Sequence, residues 1–288
     1  MLKKRIIATL VVKDGIVVQS ITFNRFLPVG KPTVAVEFLN QWGVDEIILL
    51  DISATRNGRR PDYDMVRKVS TSCRVPLTVG GGISHVDHIS KLIHCGADKV
   101  ALNQEALRRP ELLTEAAALF GSQCLVASID ALFTDVGHRV YNYLERKALP
   151  TTPAELAREV QKLGAGEILL NSVDRDGSYR GFDLALIDRV CAAVTVPLIC
   201  CGGAGHAHHF VEAFEKTRVN AAAAANFFHF TEHSVTTTKA LINRHMVVRH
   251  ESYFNYHGAR FDGRGRLMKK DDQELEDMLF ERMEKEVI

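Results

Sequence analysis

PLTVGGGI at residues 76–83 returns 121 positions later as PLICCGGA at residues 197–204. Each copy is a short apolar run ending in paired glycines. At the same offset DEIILLD (45–51) falls on GEILLNS (166–172), Glu46 on Glu167 and Gly82 on Gly203. Two helical stretches lie between these landmarks, PDYDMVRKVSTSC (61–73) and FDLALIDRVCAAV (182–194), each closing just before a V-P-L strand. The repeated unit is strand, loop, helix, strand, glycine turn.

A unit of about 120 residues is too long for a solenoid repeat and has the length of four strand-helix pairs, half a barrel. Eight short apolar runs can be placed at 4–12, 45–52, 75–80, 97–103, 123–130, 166–172, 197–202 and 219–226. They lack alternation, as parallel strands covered on both faces do. Helical stretches near 32–42, 61–73, 85–94, 108–120, 153–164, 183–194, 206–216 and 235–245 fill the gaps. The sequence therefore predicts an α/β chain, a (β/α)8 barrel over residues 1–250 made of two homologous half-barrels, about 1–122 and 123–250. Residues 251–288 form a C-terminal extension, in which Leu275, Met278, Leu279, Met283 and Val287 share one stripe of an expected amphipathic helix.

Of the 288 residues 46% are apolar and 25% charged, and 36 basic against 35 acidic residues leave a formal charge of +1. No broad field argues for nucleic acid or an anionic membrane, so any phosphate has to be gripped locally. Six cysteines without a CxxC pair suit a reducing cytosol better than disulfides or zinc. No apolar run reaches membrane-spanning length, and the basic, apolar N-terminus reads as a strand rather than a signal. A cytoplasmic protein without a cofactor is the expectation.

Active sites of such barrels lie at the carboxyl ends of the strands. Gly81 and Gly82 after the third strand, and Gly202 and Gly203 after the seventh, offer backbone N–H groups that an anion can approach. Asn103 and Gln104 end the fourth strand, Ala225 and Asn226 the eighth. Two matched cradles across one mouth suit a substrate with phosphate at both ends, although each glycine pair also suits a tight turn. Asp130 ends the fifth strand and is the expected proton-transfer group. Its partner by internal alignment of RIIATLV (5–11) with CLVASID (124–130) is Val11, so an opposed acid pair is absent. Asp51, Ser53, Asn171, Asp174 and Asp176 are further mouth residues, the last two within VDRDGSYRG, either a loop that closes on ligand or a solvated turn, and Gly177 of that loop is counted with the phosphate-binding residues.

At the opposite end Arg5, Glu46, Lys99 and Glu167 start strands one, two, four and six. Two acids and two bases there form either a structural plug or a gate for a small polar molecule. His206, His208 and His209 open the seventh helix, as exposed imidazoles or as metal ligands, and the first reading is preferred.

The segments RII…VKDG, LTVGGGI, GADKVALN, GAGEILL, DRDG, CGGAG and FHF together resemble the cyclase subunit of imidazole glycerol phosphate synthase, over residues 1 to about 250. The resemblance implies a barrel docked by its bottom face onto a glutaminase subunit, with ammonia passing a charged gate, matched by Arg5, Glu46, Lys99 and Glu167, toward a phosphorylated substrate. Asp98 matches the docking face. Of the family's two catalytic aspartates Asp130 matches one, and Val11 stands at the other. Gln19 stands where a lysine is expected. The stretch VVQSITFNRFLPVGKP also resembles a branch associated with surface-polysaccharide (lipopolysaccharide) sugars, which implies a further ATP-dependent amidotransferase partner.

Three functions follow from these readings. The preferred one is an ammonia-conducting subunit for amidination of a sugar. The second is an ammonia-dependent cyclase and lyase of histidine biosynthesis, acting on a bisphosphorylated ribonucleotide. The third is a non-catalytic phosphosugar-binding scaffold, against which the charged ring argues.

Overall fold

A run of Ile, Val, Leu and Ala with neither face polar is stable as a strand only where both faces are covered. The computed structural model, which describes residues 3–229, 234–249 and 259–268, meets that demand with a closed parallel ring. The strands are β1 (Arg5–Lys13), β2 (Ile16–Ile21), β3 (Arg25–Gly30), β4 (Glu46–Asp51), β5 (Leu77–Gly80), β6 (Lys99–Leu102), β7 (Leu125–Thr134), β8 (Gly137–Asn142), β9 (Lys147–Ala148), β10 (Glu167–Ser172), β11 (Leu198–Cys201) and β12 (Ala221–Ala224). Eight of them pair in the order β10-β11-β12-β1-β4-β5-β6-β7, and β7 returns to β10. Every pairing within that ring is parallel. This is a (β/α)8 barrel.

The helices are α1 (Pro32–Gln41), α2 (Tyr63–Ser72), α3 (Val86–His94), α4 (Gln104–Arg108), α5 (Glu111–Phe120), α6 (Pro153–Lys162), α7 (Leu184–Cys191), α8 (Ala207–Lys216), α9 (Asn226–His229) and α10 (Ser234–Ile242). Local chemistry starts several of them. Asp62 accepts from the Met65 N–H to cap α2, and Asp183, 121 positions on, accepts from the Leu186 N–H to cap α7. Thr152 and Glu155 form a reciprocal capping box on α6.

Alternation along each strand sorts side chains into two cores. Ile6, Ala8, Leu10 and Val12 of β1 face the helices. Ile7 faces the barrel axis with Ile48, Ala101, Val126, Leu169, Ile199, Ala221 and Ala223. Where the unalternating runs gave eight strands, the structure adds four more in the segments left as connections. β2 and β3 form a hairpin on β1, entered through Asp14 and Gly15, both at positive φ, which is what a two-residue Asp-Gly turn needs. β8 folds back on β7, and β9 on β8. In β8 buried His138, Val140 and Asn142 alternate with half-buried neighbours, the period of a strand covered on one face.

Part of the C-terminal extension is described. Phe261 bridges to Leu267, Asp262 accepts from the Arg264 and Arg266 N–H groups, and a Cβ on Gly265 would sit 2.9 Å from the Ala207 Cβ and 3.2 Å from Leu241. Residues 259–268 thus lie against α8 and α10. The expected amphipathic helix carrying Leu275, Met278, Leu279, Met283 and Val287 lies outside the described residues. Among the described residues no helix is long and apolar enough to cross a membrane.

One buried ion pair ties α10 to the barrel. Lys239 Nζ lies 2.6 Å from Asp45 Oδ1, with side chains 3% and 0% exposed, and Asp45 Oδ2 accepts from the Ile6 N–H at 2.7 Å. Burial pushes the Asp45 carboxyl up, and Lys239 opposes that shift. Removing one partner leaves the other charge buried alone. Lys239→Met is expected to lower the unfolding free energy in urea by about 3–5 kcal/mol, and Asp45→Asn with Lys239→Met to lower it by less.

Candidate functional site

The strand registers place charge at one end of the barrel and a cavity at the other. At the amino ends, Arg5 Nη1 donates to Glu46 and Nη2 to Glu167, while Lys99 Nζ lies 3.2 Å from Glu46 and 2.8 Å from Glu167. Each base touches both acids, a closed ring of zero net charge. Both glutamates are buried. Burial works against the Arg5 charge, and Glu167 and Glu46 outweigh it, holding the guanidinium above its ordinary value. Asp98, exposed at the same end, accepts from the Leu77 N–H at 2.8 Å. The barrel axis carries Ile7, Ile48, Ala101, Val126, Leu169, Ile199, Ala221 and Ala223, and Thr9 and Ser128 line the cavity beyond.

At the carboxyl ends a cavity of about 200 Å³ opens, and Val11, Asp51, Ser53, Gly81, Gly82, Asn103, Gln104, Asp130, Asn171, Asp176 and Ala225 all line it. Asp130 Oδ2 accepts from Asn103 at 2.9 Å and Oδ1 from Asn171 at 3.4 Å. Burial pushes its carboxyl up to about 6, against the pull of those two donors and helped by the charge of Asp176. Asp176 Oδ2 accepts from Ser20 Oγ at 2.6 Å and from the Phe23 N–H at 3.3 Å, and burial likewise raises it to about 6. Asp51 Oδ1 is held by the N–H groups of Ser53 and Ala54 and by Ser53 Oγ.

Position 11 is equivalent to position 130 in three dimensions. Val11 pairs with Leu50 of β4 as Asp130 pairs with Asn171 of β10, and Glu46 and Glu167 start those two neighbours. The isopropyl group therefore sits at the rim where the carboxyl sits across the barrel.

The four cradle glycines have a packing reason beyond anion approach. A Cβ on Gly81, at φ +109°, would lie 2.2 Å from the Asp51 carbonyl oxygen, and one on Gly202, at φ +93°, 2.6 Å from that of Ser172. Gly82 already donates to Thr55 Oγ1, and Gly203 accepts from the Gly181 N–H. The two cradles also differ. Gly81, Gly82, Asn103 and Gln104 line the cavity, whereas Gly177, Gly202, Gly203 and Asn226 stand outside its lining. The β2–β3 hairpin lies over the second cradle. Asn226 holds the Ser20 N–H and carbonyl at 3.2 and 2.6 Å, the Thr22 N–H donates to the Asp176 carbonyl, and Gln19 donates to the Tyr179 hydroxyl. Asp174 sits apart, accepting from the Phe133 N–H.

The three histidines of α8 do not converge as ligands. His209 Nδ1 accepts from the Gly205 N–H at 3.0 Å, as His88 Nδ1 accepts from the Ser84 N–H at 3.3 Å after the first glycine pair. His206 stacks on His209 with centroids 3.6 Å apart, and His208 is 6.1 Å from His206. Burial lowers His209 to about 4, which keeps its ring a neutral acceptor.

Sequence reading missed the cations and aromatics that the hairpins bring to the rim: Lys13, Phe23, Phe26, Tyr143 and Arg146, with Arg56 from the loop after β4. The Asp14-Gly15 turn was the available signal for the first hairpin. Nothing in the spacing of Tyr143 or Arg146 points to the cavity.

The protein-family model described as "Histidine biosynthesis protein" matches residues 5–234. The imidazole glycerol phosphate synthase subunit HisF of Anoxybacillus flavithermus is 45% identical over 249 residues, 86% of this chain and 99% of that protein. The subunit of the same name from Geobacillus thermodenitrificans is 44% identical over 249 residues, with the same shares covered. A putative imidazole glycerol phosphate synthase subunit of Vibrio vulnificus is 41% identical over 267 residues, covering 92% of this chain and 98% of that protein. That share is more than residues 1–250 can supply, so the likeness runs into the C-terminal extension.

The raised Asp130 carboxyl fixes a stability effect. The folded chain holds its proton up to about pH 6, whereas an unfolded aspartate loses it near 3.8, so stability falls as pH rises through that window. Asp130→Asn is expected to raise the unfolding free energy at pH 8 by on the order of 2–3 kcal/mol, most of it gone at pH 4, as urea titrations at the two pH values will read. With its closed barrel, its cavity at the strand carboxyl ends and a family model matched along most of its length, the chain belongs to the histidine biosynthesis protein family.

Proposed function

We propose that this chain is an ammonia-accepting cyclase subunit of the imidazole glycerol phosphate synthase kind, acting at the barrel mouth on a bisphosphorylated ribonucleotide. The observation that carries the reading is the arrangement along the axis. A neutral ring of Arg5, Glu46, Lys99 and Glu167 closes one end, and a cavity holding Asp130 occupies the other. A binding scaffold needs only the cavity. Buried charges cost desolvation that apolar filler would avoid, and a gate for a small polar molecule gives them a use. The names of the curated relatives favour the same reading over sugar amidination.

In this reading a glutaminase docks on the face that carries Asp98 and releases ammonia at the ring. The nitrogen travels past Ala101, Ala221 and Ala223 toward Asp130. Asn103 and Asn171 orient the Asp130 carboxyl, and Gly81, Gly82, Asn103 and Gln104 form the open anion grip. The second grip, at Gly177, Gly202, Gly203, Ala225 and Asn226, lies under the β2–β3 hairpin, which opens to admit the phosphate and closes again over it. A carboxyl that titrates near 6 exchanges protons at neutral pH with little cost, as general acid-base catalysis requires.

A second reading has two residues in its favour. Val11 removes a carboxyl from the rim, and Gln19 gives no cation there, which suits a conduit subunit that passes ammonia to an ATP-dependent amidotransferase for amidination of a surface-polysaccharide sugar. The two readings part on a direct assay. Purified full-length chain with ammonium salt and the bisphosphorylated ribonucleotide is expected to release imidazole glycerol phosphate at an ordinary enzyme rate, with Asp130→Asn lower by on the order of 10²–10⁴-fold. No turnover, together with co-purification of both a glutaminase and an ATP-using ligase, decides for the second.

A further inference from the structure

The cavity holds Val11 where an acid partner for Asp130 would stand, yet two-proton chemistry there needs two exchanging groups. When ammonia condenses with a carbonyl group, the carbon–oxygen double bond is replaced by a carbon–nitrogen double bond and one water leaves. Two protons pass from nitrogen to oxygen. In the addition one group takes a proton from nitrogen while the other gives one to oxygen, and in the loss of water the two exchange roles, so the pair ends in its starting state and no oxidant or reductant enters. The cavity offers Asp14, Asp51, Glu105 and Asp176 as candidates. Asp51 is committed, with three donors on Oδ1 and Arg59 3.7 Å from Oδ2. Asp14 occupies the hairpin turn, and Glu105 lies in the first turn of α4.

Resting on the cyclase reading above, we propose that Asp176 is the second proton-transferring residue of this site, working with Asp130 in place of the carboxyl that Val11 lacks. Both carboxyls line one cavity. The Oδ2 atom of Asp176 is fixed by Ser20 Oγ and the Phe23 N–H. Its position depends on the β2–β3 hairpin, so closure of that hairpin over substrate sets the acid in place. Burial raises both carboxyls to about 6, and the charge of Asp176 adds to the rise at Asp130, so that two like groups in one dry space share protons near neutral pH. Lys13, Arg56 and Arg146 face the pair from β1, the loop after β4 and the hairpin after β7. Asp14, Asp51 and Glu105 face it as acids, and Tyr143 and Cys201 as neutral groups whose own ionisation burial pushes up.

Turnover with ammonium salt and the bisphosphorylated ribonucleotide, followed from pH 5 to 9 in the full chain, tests this. The wild type is expected to give a bell-shaped kcat/KM profile. Asp176→Asn, which keeps the shape and the hydrogen bonds from Ser20 and Phe23, is expected to lose one limb and on the order of 10²–10⁴-fold in kcat. Ser20→Ala loosens the hairpin but keeps the carboxyl, and is expected to raise KM and keep both limbs. Val11→Asp introduced with Asp176→Asn is expected to regain most of the lost kcat, a rescue that no merely structural role for Asp176 would permit. If Asp176→Asn changes KM alone, or leaves rate and profile untouched while Asp130→Asn is dead, the inference falls and the cyclase reading stands. If the wild type does not turn over, both fall.

Discussion

Closure of the β7–β10 pairing is the constraint from which the rest follows. Eight parallel strands joined into one ladder have no free register, because each must satisfy two neighbours. Once Asn171 pairs with Asp130 and Val11 with Leu50, the height of every inward side chain is fixed. Alternation then does the remaining sorting: every second residue faces the axis, and the rest face the helices. Slipping one strand by a residue would exchange Glu46 or Glu167 with a core isoleucine and bury a carboxylate without a partner.

That constraint explains how four charges persist at the foot of a packed barrel. Taking charged groups out of water costs several kcal/mol each, and only close pairing with opposite charge repays it. Here each base meets both acids. The arrangement is neutral and more costly than the valine or leucine that barrels place elsewhere on the axis. At the mouth the balance is reversed. Asp130 and Asp176 have amide, hydroxyl and backbone donors and make no ion pair among the described residues, so burial dominates and lifts both carboxyls toward neutrality.

The asymmetry between the two halves is where this chain departs from a doubled design. Glycine pairs, aspartate caps and histidine-tied turns recur at matched positions. Position 11 does not follow, nor do the surroundings of the glycine pairs, of which one opens to the cavity and the other lies under the hairpin. The hairpin, the loop bearing Asp176 and the start of α9 are clasped through Ser20, which touches Asp176 and Asn226 together. Movement of the hairpin therefore bears on the second cradle and on one of the two raised carboxyls at once.

The sequence alone determined the barrel, the composition of its charged ring, the glycine turns and the mismatch between Val11 and Asp130. Each is written either in a period of apolar residues or in an internal offset, and both survive without coordinates. It did not reveal the hairpins after β1 and β7, since unalternating apolar runs are the mark of buried parallel strands, whereas β3 is largely exposed and β8 is covered on one face. Nor did it rank the polar mouth residues. Ser20 lies 156 positions from Asp176 and 206 from Asn226, and no local pattern encodes a contact of that range. Which carboxyls share a cavity, which glycines face it and which are packed against carbonyl oxygens were decided only by the closed tertiary structure, because burial and distance, rather than residue type, set both reach and proton affinity.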